Sequence, residues 1–95
     1  MPARQVLSPN ELKDALVGLV GWDDLGGKIG KTFPSKSYAT GVLFTVAVGH
    51  VAESMDHHPD ITLTYPSVRI ETSTHDAGGV TMTDIELARR IEALA

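Results

Sequence analysis

Glu53, His57, His58 and Pro59 fall within the eight residues ESMDHHPD, and His75 and Asp84 follow further along the chain. Imidazole has a reference pKa of about 6.5, so it can both give and take a proton near neutral pH. Two adjacent histidines on a continuing helix would point about 100° apart and could not serve one small molecule. Pro59 changes that expectation. It disfavours α geometry at His58, so the helix should stop there and the two rings should face one cavity from different directions. Glu53, one turn before His57, is placed to hold that ring. Paired histidines before a proline also occur as a simple polar helix end. His75 weighs against that plainer reading. It ends an alternating segment that returns towards Pro59, so a hairpin should carry it back beside His57 and His58. Three of the four histidines would then share one pocket.

Asp84 takes the fourth position of Thr81-Met82-Thr83-Asp84, where a capping-box acid belongs, and an acid there can also orient an imidazole. Tyr65 shares an alternation face with Ile61 and Leu63, which predicts core packing. Trp22 is expected in the core. His50 shares a helical face with Glu53 and His57 and is expected on the helix surface or at an interface. A metal site built from Glu53, His57, His58 and His75 would have nitrogen and oxygen donors. Adjacent histidines are awkward ligands for one ion, however, and no HExxH spacing is present. Proton transfer therefore ranks above metal binding, and no metal or organic cofactor is expected. Gly26-Gly27 and Gly78-Gly79 read as turns rather than phosphate loops, and no GxSxG motif supports a serine nucleophile.

The elements that must position these residues can be read in outline. Ser8-Pro9-Asn10-Glu11 is a capping box with proline at the first helical position, and Leu7 and Leu12 can staple it. Leu12, Leu16 and Leu19 mark the inner face of a helix ending near Val20-Gly21. A short strand from Trp22 turns at Gly26-Gly27 into a partner over Lys28–Pro34, although Gly30 interrupts its alternation. Ser37 is the expected N-cap of a second helix from Tyr38 to about Asp56. That helix is apolar nearly all round, so one face is expected to meet another subunit. Ile61–Tyr65 and Val68–Thr74 form a hairpin across Pro66-Ser67. A last helix starts at Thr81 and turns Ile85, Leu87, Ala88, Ile91 and Leu94 inward. The order α-β-β-α-β-β-α, with hairpins instead of crossovers, predicts an α+β fold. Its expected form is an antiparallel sheet backed by helices on one face.

Bulk composition narrows the function. A chain of 95 residues fits one domain, and its small core favours oligomers. The net charge of −4 argues against a nucleic-acid partner, and the absence of cysteine removes thiolate chemistry and disulfides. The first residues lack the apolar core of a secretory signal, and the apolar run near Tyr38–Ala52 is too short to cross a bilayer. A cytoplasmic protein without a membrane partner is expected.

Glu53, then His57-His58-Pro59, Tyr65, Thr74-His75-Asp76 and Asp84 together resemble the pterin-4a-carbinolamine dehydratase family. The spacing matches that of active members from Glu53 to Asp84 without a gap. The flanks agree: Gly21-Trp22, Phe33, Val51-Ala52, Val68-x-Ile70, Gly79-Val80-Thr81 and Leu87-Ala88. Ile61 stands where many members carry an aromatic, and Ser37 where aspartate is common. The resemblance implies a four-stranded antiparallel sheet with three helices on one side, in homodimers or homotetramers. It implies a pterin substrate, 4a-hydroxytetrahydropterin, dehydrated to quinonoid dihydropterin in tetrahydropterin recycling. It implies His57, His58, His75 and Asp84 as catalytic groups, and Glu53, Pro59, Tyr65, Thr74, Asp76 and Ala77 as substrate contacts. Within that set, His57 and His75 are expected to be acid and base, and His58 to bind and polarise the pterin. Backbone groups of Thr74–Ala77 would face its amide-like edge. The competing expectation is a non-catalytic binding or dimerisation module on the same fold, acting in transcription or assembly.

Overall fold

The computed structural model describes residues 5–95. In chain order it contains α1 (Pro9–Val17), β1 (Asp23–Asp24), β2 (Ile29–Pro34), α2 (Tyr38–Met55), β3 (Asp60–Thr64), β4 (Ser67–Thr72) and α3 (Met82–Leu94). The strands form one antiparallel sheet in the order β1-β2-β4-β3. The fold is therefore α+β with three helices and four strands, as the pattern of elements predicts.

Each helix starts where its capping residues demand. Ser8 Oγ accepts from Glu11 N, and Glu11 Oε1 accepts from Ser8 N, so two otherwise orphaned donors are satisfied at the start of α1. Ser37 and Thr40 do the same for α2, and Thr81 and Asp84 for α3. Leu7 and Leu12 are both buried, as the staple predicts. α1 ends at Val17, earlier than its apolar spacing suggests. Gly18 is a poor helix residue, and turn bonds from Leu19 N to Leu16 O and from Trp22 N to Leu19 O take over.

The alternation of β4 builds the core. Val68, Ile70 and Thr72 are buried on one face, with Ile29 and Phe33 of β2 beside them. Helical residues Leu12, Val48, Ala52, Ile85, Leu87, Ala88 and Ile91 complete one hydrophobic cluster. Trp22 is in this core, and its indole N–H donates to Glu92 at 2.9 Å. Lys31 also pairs with Glu92, which ties α3 to the β1–β2 hairpin. On the other sheet face, Lys28 and Arg69 donate to Glu71 and hold its carboxyl below the usual carboxylate range. Gly30, which breaks the alternation, lies under the side chains of Arg69, Leu25 and Glu71. A Cβ there would stand 2.8 Å from Arg69 Nη2 and 2.9 Å from Leu25 Cδ1.

Several sequence expectations are corrected. β4 stops at Thr72 rather than Thr74 because its partners run out: Ile29 opposes Thr72, and Asp60 opposes Glu71. β3 stops at Thr64, so Tyr65 leaves the alternation. It sits in the hairpin turn at 67 % exposure rather than in the core, before a cis peptide bond to Pro66. Leu94, expected inside, is exposed in the last turn of α3. α2 buries Gly41, Val48 and Ala52, while Tyr38, Val42, Leu43 and Val46 face outward. Among the described residues, no helix is long and apolar enough to cross a membrane.

Candidate active site

α2 ends before Pro59 can act. Asp56 adopts the left-handed conformation (φ 50°, ψ 42°), a geometry tolerated by aspartate and asparagine more readily than by most side chains. The N–H groups of Asp56 and His57 then bond back to carbonyls of the last helical turn, including His57 N to Ala52 O at 3.1 Å. This reversal separates the paired histidines. His57 turns inward and is 7 % exposed, while His58 stays outside.

The partners differ from the helical-spacing expectation. Glu53 does not hold His57. Its Oε1 lies 2.8 Å from His58 Nε2 in an exposed pair. The αL residue breaks the helical register between Glu53 and His57, so their spacing no longer places them together. His57 Nε2 instead lies 2.5 Å from Asp84 Oδ1, 27 residues along the chain.

Asp84 is fully buried and serves two purposes at once. Its Oδ2 accepts from Thr81 N at 2.9 Å, closing the α3 capping box, and from Thr74 Oγ1 at 2.8 Å. Its Oδ1 accepts from Thr72 Oγ1 at 2.7 Å and faces His57. A buried carboxylate needs such donors, because an uncompensated charge out of water costs several kcal/mol on the order-of-magnitude scale.

His75 lies on the segment between β4 and α3. Thr74 and Gly79 pair as an isolated bridge, and Gly78 N donates to His75 O at 3.2 Å. This tight turn presents the exposed His75 ring at the mouth of a cavity of about 260 Å³, lined by Asp56, His57, His58, Ser73, Thr74, His75 and Asp76. The hairpin thus brings all three histidines to one pocket.

The remaining residues expected to contact substrate are distributed unevenly. Asp76 and Thr74 line the cavity, but the Thr74 hydroxyl is committed to Asp84. Ala77 lies beside the cavity, not in its lining, and its N–H closes the turn onto Thr74 O at 3.1 Å. Pro59 and Glu53 flank the histidines without lining the cavity. Tyr65 is at the opposite end of the β3–β4 hairpin from His58. Asp56 and Ser73 line the pocket without having been expected there, and the Thr72 and Thr81 contacts to Asp84 were also missed. The signal for Asp56 was its residue type at a helix end. For the threonines it was their place on the core face of β4 and at a cap. A larger groove of about 710 Å³ lies between the end of β2 and α2, where Lys36 supplies its one charged side chain. No histidine lines it. Among the described residues, no three histidine, aspartate or glutamate side chains are grouped so as to hold a metal ion.

A family model described as pterin 4 alpha carbinolamine dehydratase matches residues 5–94. A relative from Bradyrhizobium diazoefficiens, provisionally named a pterin-4-alpha-carbinolamine dehydratase, is 45 % identical across 94 % of this chain and 91 % of its own length. A Streptomyces coelicolor relative with the same provisional name is 43 % identical, covering 100 % of this chain and 94 % of its own. A crystal structure of a transcriptional coactivator/pterin dehydratase from Brucella melitensis superposes with a TM-score of 0.90 at 34 % identity, over 96 % of this chain and 99 % of that one. A pterin dehydratase-like protein identified as a RuBisCO assembly factor in the alpha-carboxysome has a TM-score of 0.67 at 27 % identity, over 79 % and 89 % of the two chains. The chain belongs to the pterin 4 alpha carbinolamine dehydratase family.

Proposed function

We propose that this protein is a cytoplasmic hydro-lyase that dehydrates 4a-hydroxytetrahydropterin to quinonoid dihydropterin in tetrahydropterin recycling, using histidines as acid and base. The observation that carries the reading is the convergence of His57, His58 and His75 on one cavity, with His57 backed by a buried carboxylate. The substrate's hydroxyl sits on a tertiary carbon and leaves poorly as hydroxide. A protonated imidazole gives its proton to that oxygen, the C–O bond breaks and water departs. The lone pair of the adjacent ring nitrogen forms the new C=N bond, and a neutral imidazole takes the proton from that nitrogen. One proton is given and one taken, so exchange with water restores both histidines. Positioned proton transfer of this kind contributes typically about 10²–10⁴-fold, and the step needs neither metal nor organic cofactor. His57 and His75 are the acid–base pair in this reading. His58, held by Glu53, binds and polarises the pterin, and Asp76 contacts it. An assay with chemically generated 4a-hydroxytetrahydropterin tests the reading directly, and a rate equal to the uncatalysed one would refute it.

His75 is exposed and has no side-chain hydrogen bond among the described residues, so its removal should cost almost nothing in stability. His75→Ala is expected to lower turnover at least tenfold, with an unchanged denaturation midpoint.

The outward face of α2 supports a homodimer or homotetramer. Tyr38, Val42 and Val46 recur at helical spacing, with Leu43 at 68 % exposure beside them. Sedimentation should give a dimer or larger. Leu43→Glu together with Val46→Glu should shift it towards monomer.

A second reading, a binding module, is favoured by the structural likeness to a protein identified as an assembly factor. It predicts no dehydration with the histidines intact. The pocket around three histidines gives the dehydratase the stronger support.

A further inference from the structure

Asp84 is surrounded by four hydrogen-bonding contacts, two on each oxygen. The direction of each bond can be worked out from the proton inventory. Thr81 N–H can only donate, and it donates to Oδ2. Thr83 N–H donates to Thr81 Oγ1, leaving that hydroxyl to donate onward. Thr81 Oγ1 lies 2.8 Å from Thr74 Oγ1, and Thr74 Oγ1 lies 2.8 Å from Asp84 Oδ2. A hydroxyl has one proton, so the chain runs in a single sense: Thr83 N–H to Thr81, Thr81 to Thr74, Thr74 to Asp84. Thr72 Oγ1 supplies the second hydroxyl proton, to Oδ1. A carboxylate offers about four lone-pair sites, two per oxygen. Three are taken by groups of the β4–α3 region, and the fourth faces His57 Nε2. A protonated Asp84 would need Thr72 or the Thr74–Thr81 pair to reverse, or His57 Nε2 to accept, whereas the ionised form satisfies all three donors as they stand.

We infer that Thr72 and Thr74 are positioning residues that keep Asp84 an acceptor-only carboxylate, thereby fixing the neutral His57 ring as its Nε2–H tautomer with Nδ1 left as the nitrogen that exchanges a proton with substrate. This rests on the dehydratase reading for its catalytic consequence alone. The tautomer is a property of the free protein. A neutral ring donating through Nε2 has a lone pair at Nδ1, which is the form a general base needs. His57 is therefore the base that takes the pterin nitrogen's proton, and the acid falls to one of the other two rings in the cavity. Thr74 also changes role: its hydroxyl serves Asp84, and its contribution to substrate is through Asp84 and His57.

The test is a two-bond ¹H–¹⁵N correlation spectrum of full-length protein labelled with ¹⁵N-histidine, at a pH where the rings are neutral, with His57 assigned by its loss in His57→Gln. The expected wild-type result is the Nε2–H pattern, and a dominant Nδ1–H pattern would overturn the inference without touching the dehydratase reading. Thr72→Val and Thr74→Val remove one donor each with little change of shape. Each should give a mixed tautomer and lower turnover by roughly ten- to a hundredfold, the range seen when partners of metal-bound histidines are removed. Thr72→Ser and Thr74→Ser keep the hydroxyl and should restore both readouts. A wild-type tautomer in both valine variants, whatever their turnover, or serine variants that behave like valine, would reduce the threonines to packing and overturn their positioning role. Should a valine variant fail to fold, the wild-type spectrum and the serine variants still decide.

Discussion

His57→Ala is expected to lower turnover of 4a-hydroxytetrahydropterin by about 10²–10⁴-fold, the range typical for loss of a positioned proton-transfer group. The large value follows from the placement of the ring. His57 is the one pocket histidine that is buried and backed by a carboxylate, so its orientation is already fixed before substrate arrives. His58 is exposed and paired with an exposed glutamate. Its replacement should act more on KM than on kcat, because it supplies binding without a fixed geometry for proton transfer. The fold should survive the loss of His57. Asp84 keeps Thr72, Thr74 and Thr81 as donors, so the carboxylate stays satisfied on three sides. The cost is the lost packing and one charge-facing hydrogen bond, about 1–3 kcal/mol against a stability of about 5–15 kcal/mol for a small domain. Circular dichroism and a denaturant curve check the fold, and stopped-flow dehydration checks the rate. Near-normal turnover in both His57→Ala and His75→Ala would end the acid–base reading, leaving the binding module as the better account.

The local signals in this chain were legible, and the tertiary ones were only half so. Capping boxes are complete within four residues, so the starts of all three helices could be placed from Ser8, Ser37 and Thr81. The return of His75 towards His57 and His58 followed from hairpin geometry, which needs only the alternation and the turn. Asp84 was expected to orient an imidazole, but that the ring is that of His57 could not be found in this way. The nearest acid at helical spacing is Glu53, and the spacing rule holds only while the helix continues. One residue, Asp56 in the left-handed region, cancels it and aims His57 at an acid 27 positions away. Tyr65 was misplaced for a related reason. Alternation assigns faces only inside a strand, and β3 ends at Thr64. Thr72 and Thr74 sit on the core face of β4 and its extension, where hydroxyls look like weak core residues until the buried carboxylate they serve is located.

Asp84→Asn should damage both activity and stability, which no replacement of a pocket histidine does to the same degree. The substitution swaps one acceptor oxygen for an amide that only donates. Whichever way the amide turns, two of the four groups around it then meet a donor with a donor. If the amide takes the Oδ2 position, Thr81 N–H loses its acceptor and the α3 capping box opens, while the Thr81–Thr74 hydroxyl chain must reverse. If it takes the Oδ1 position, Thr72 must reverse and His57 must present a lone pair at Nε2, which moves its proton to Nδ1 and removes the base. A buried donor left unmade costs about 1–3 kcal/mol, and a lost helix cap about 1 kcal/mol. With the amide at Oδ2 the folded state should lose roughly 2–4 kcal/mol, read as a lower denaturant midpoint with an unchanged slope; with the amide at Oδ1 the cap stays closed and the stability loss is smaller. Turnover should fall at least as far as in His57→Ala, since the amide either mis-sets the tautomer or loosens the element that holds it. Asp84→Ala separates the two effects. It abolishes the cap and orphans all four contacts, but imposes no tautomer on His57. If Asp84→Asn were as stable and as active as the parent, the carboxylate would be neither the cap nor the orienting group, and the buried network would have to be rebuilt around a neutral side chain.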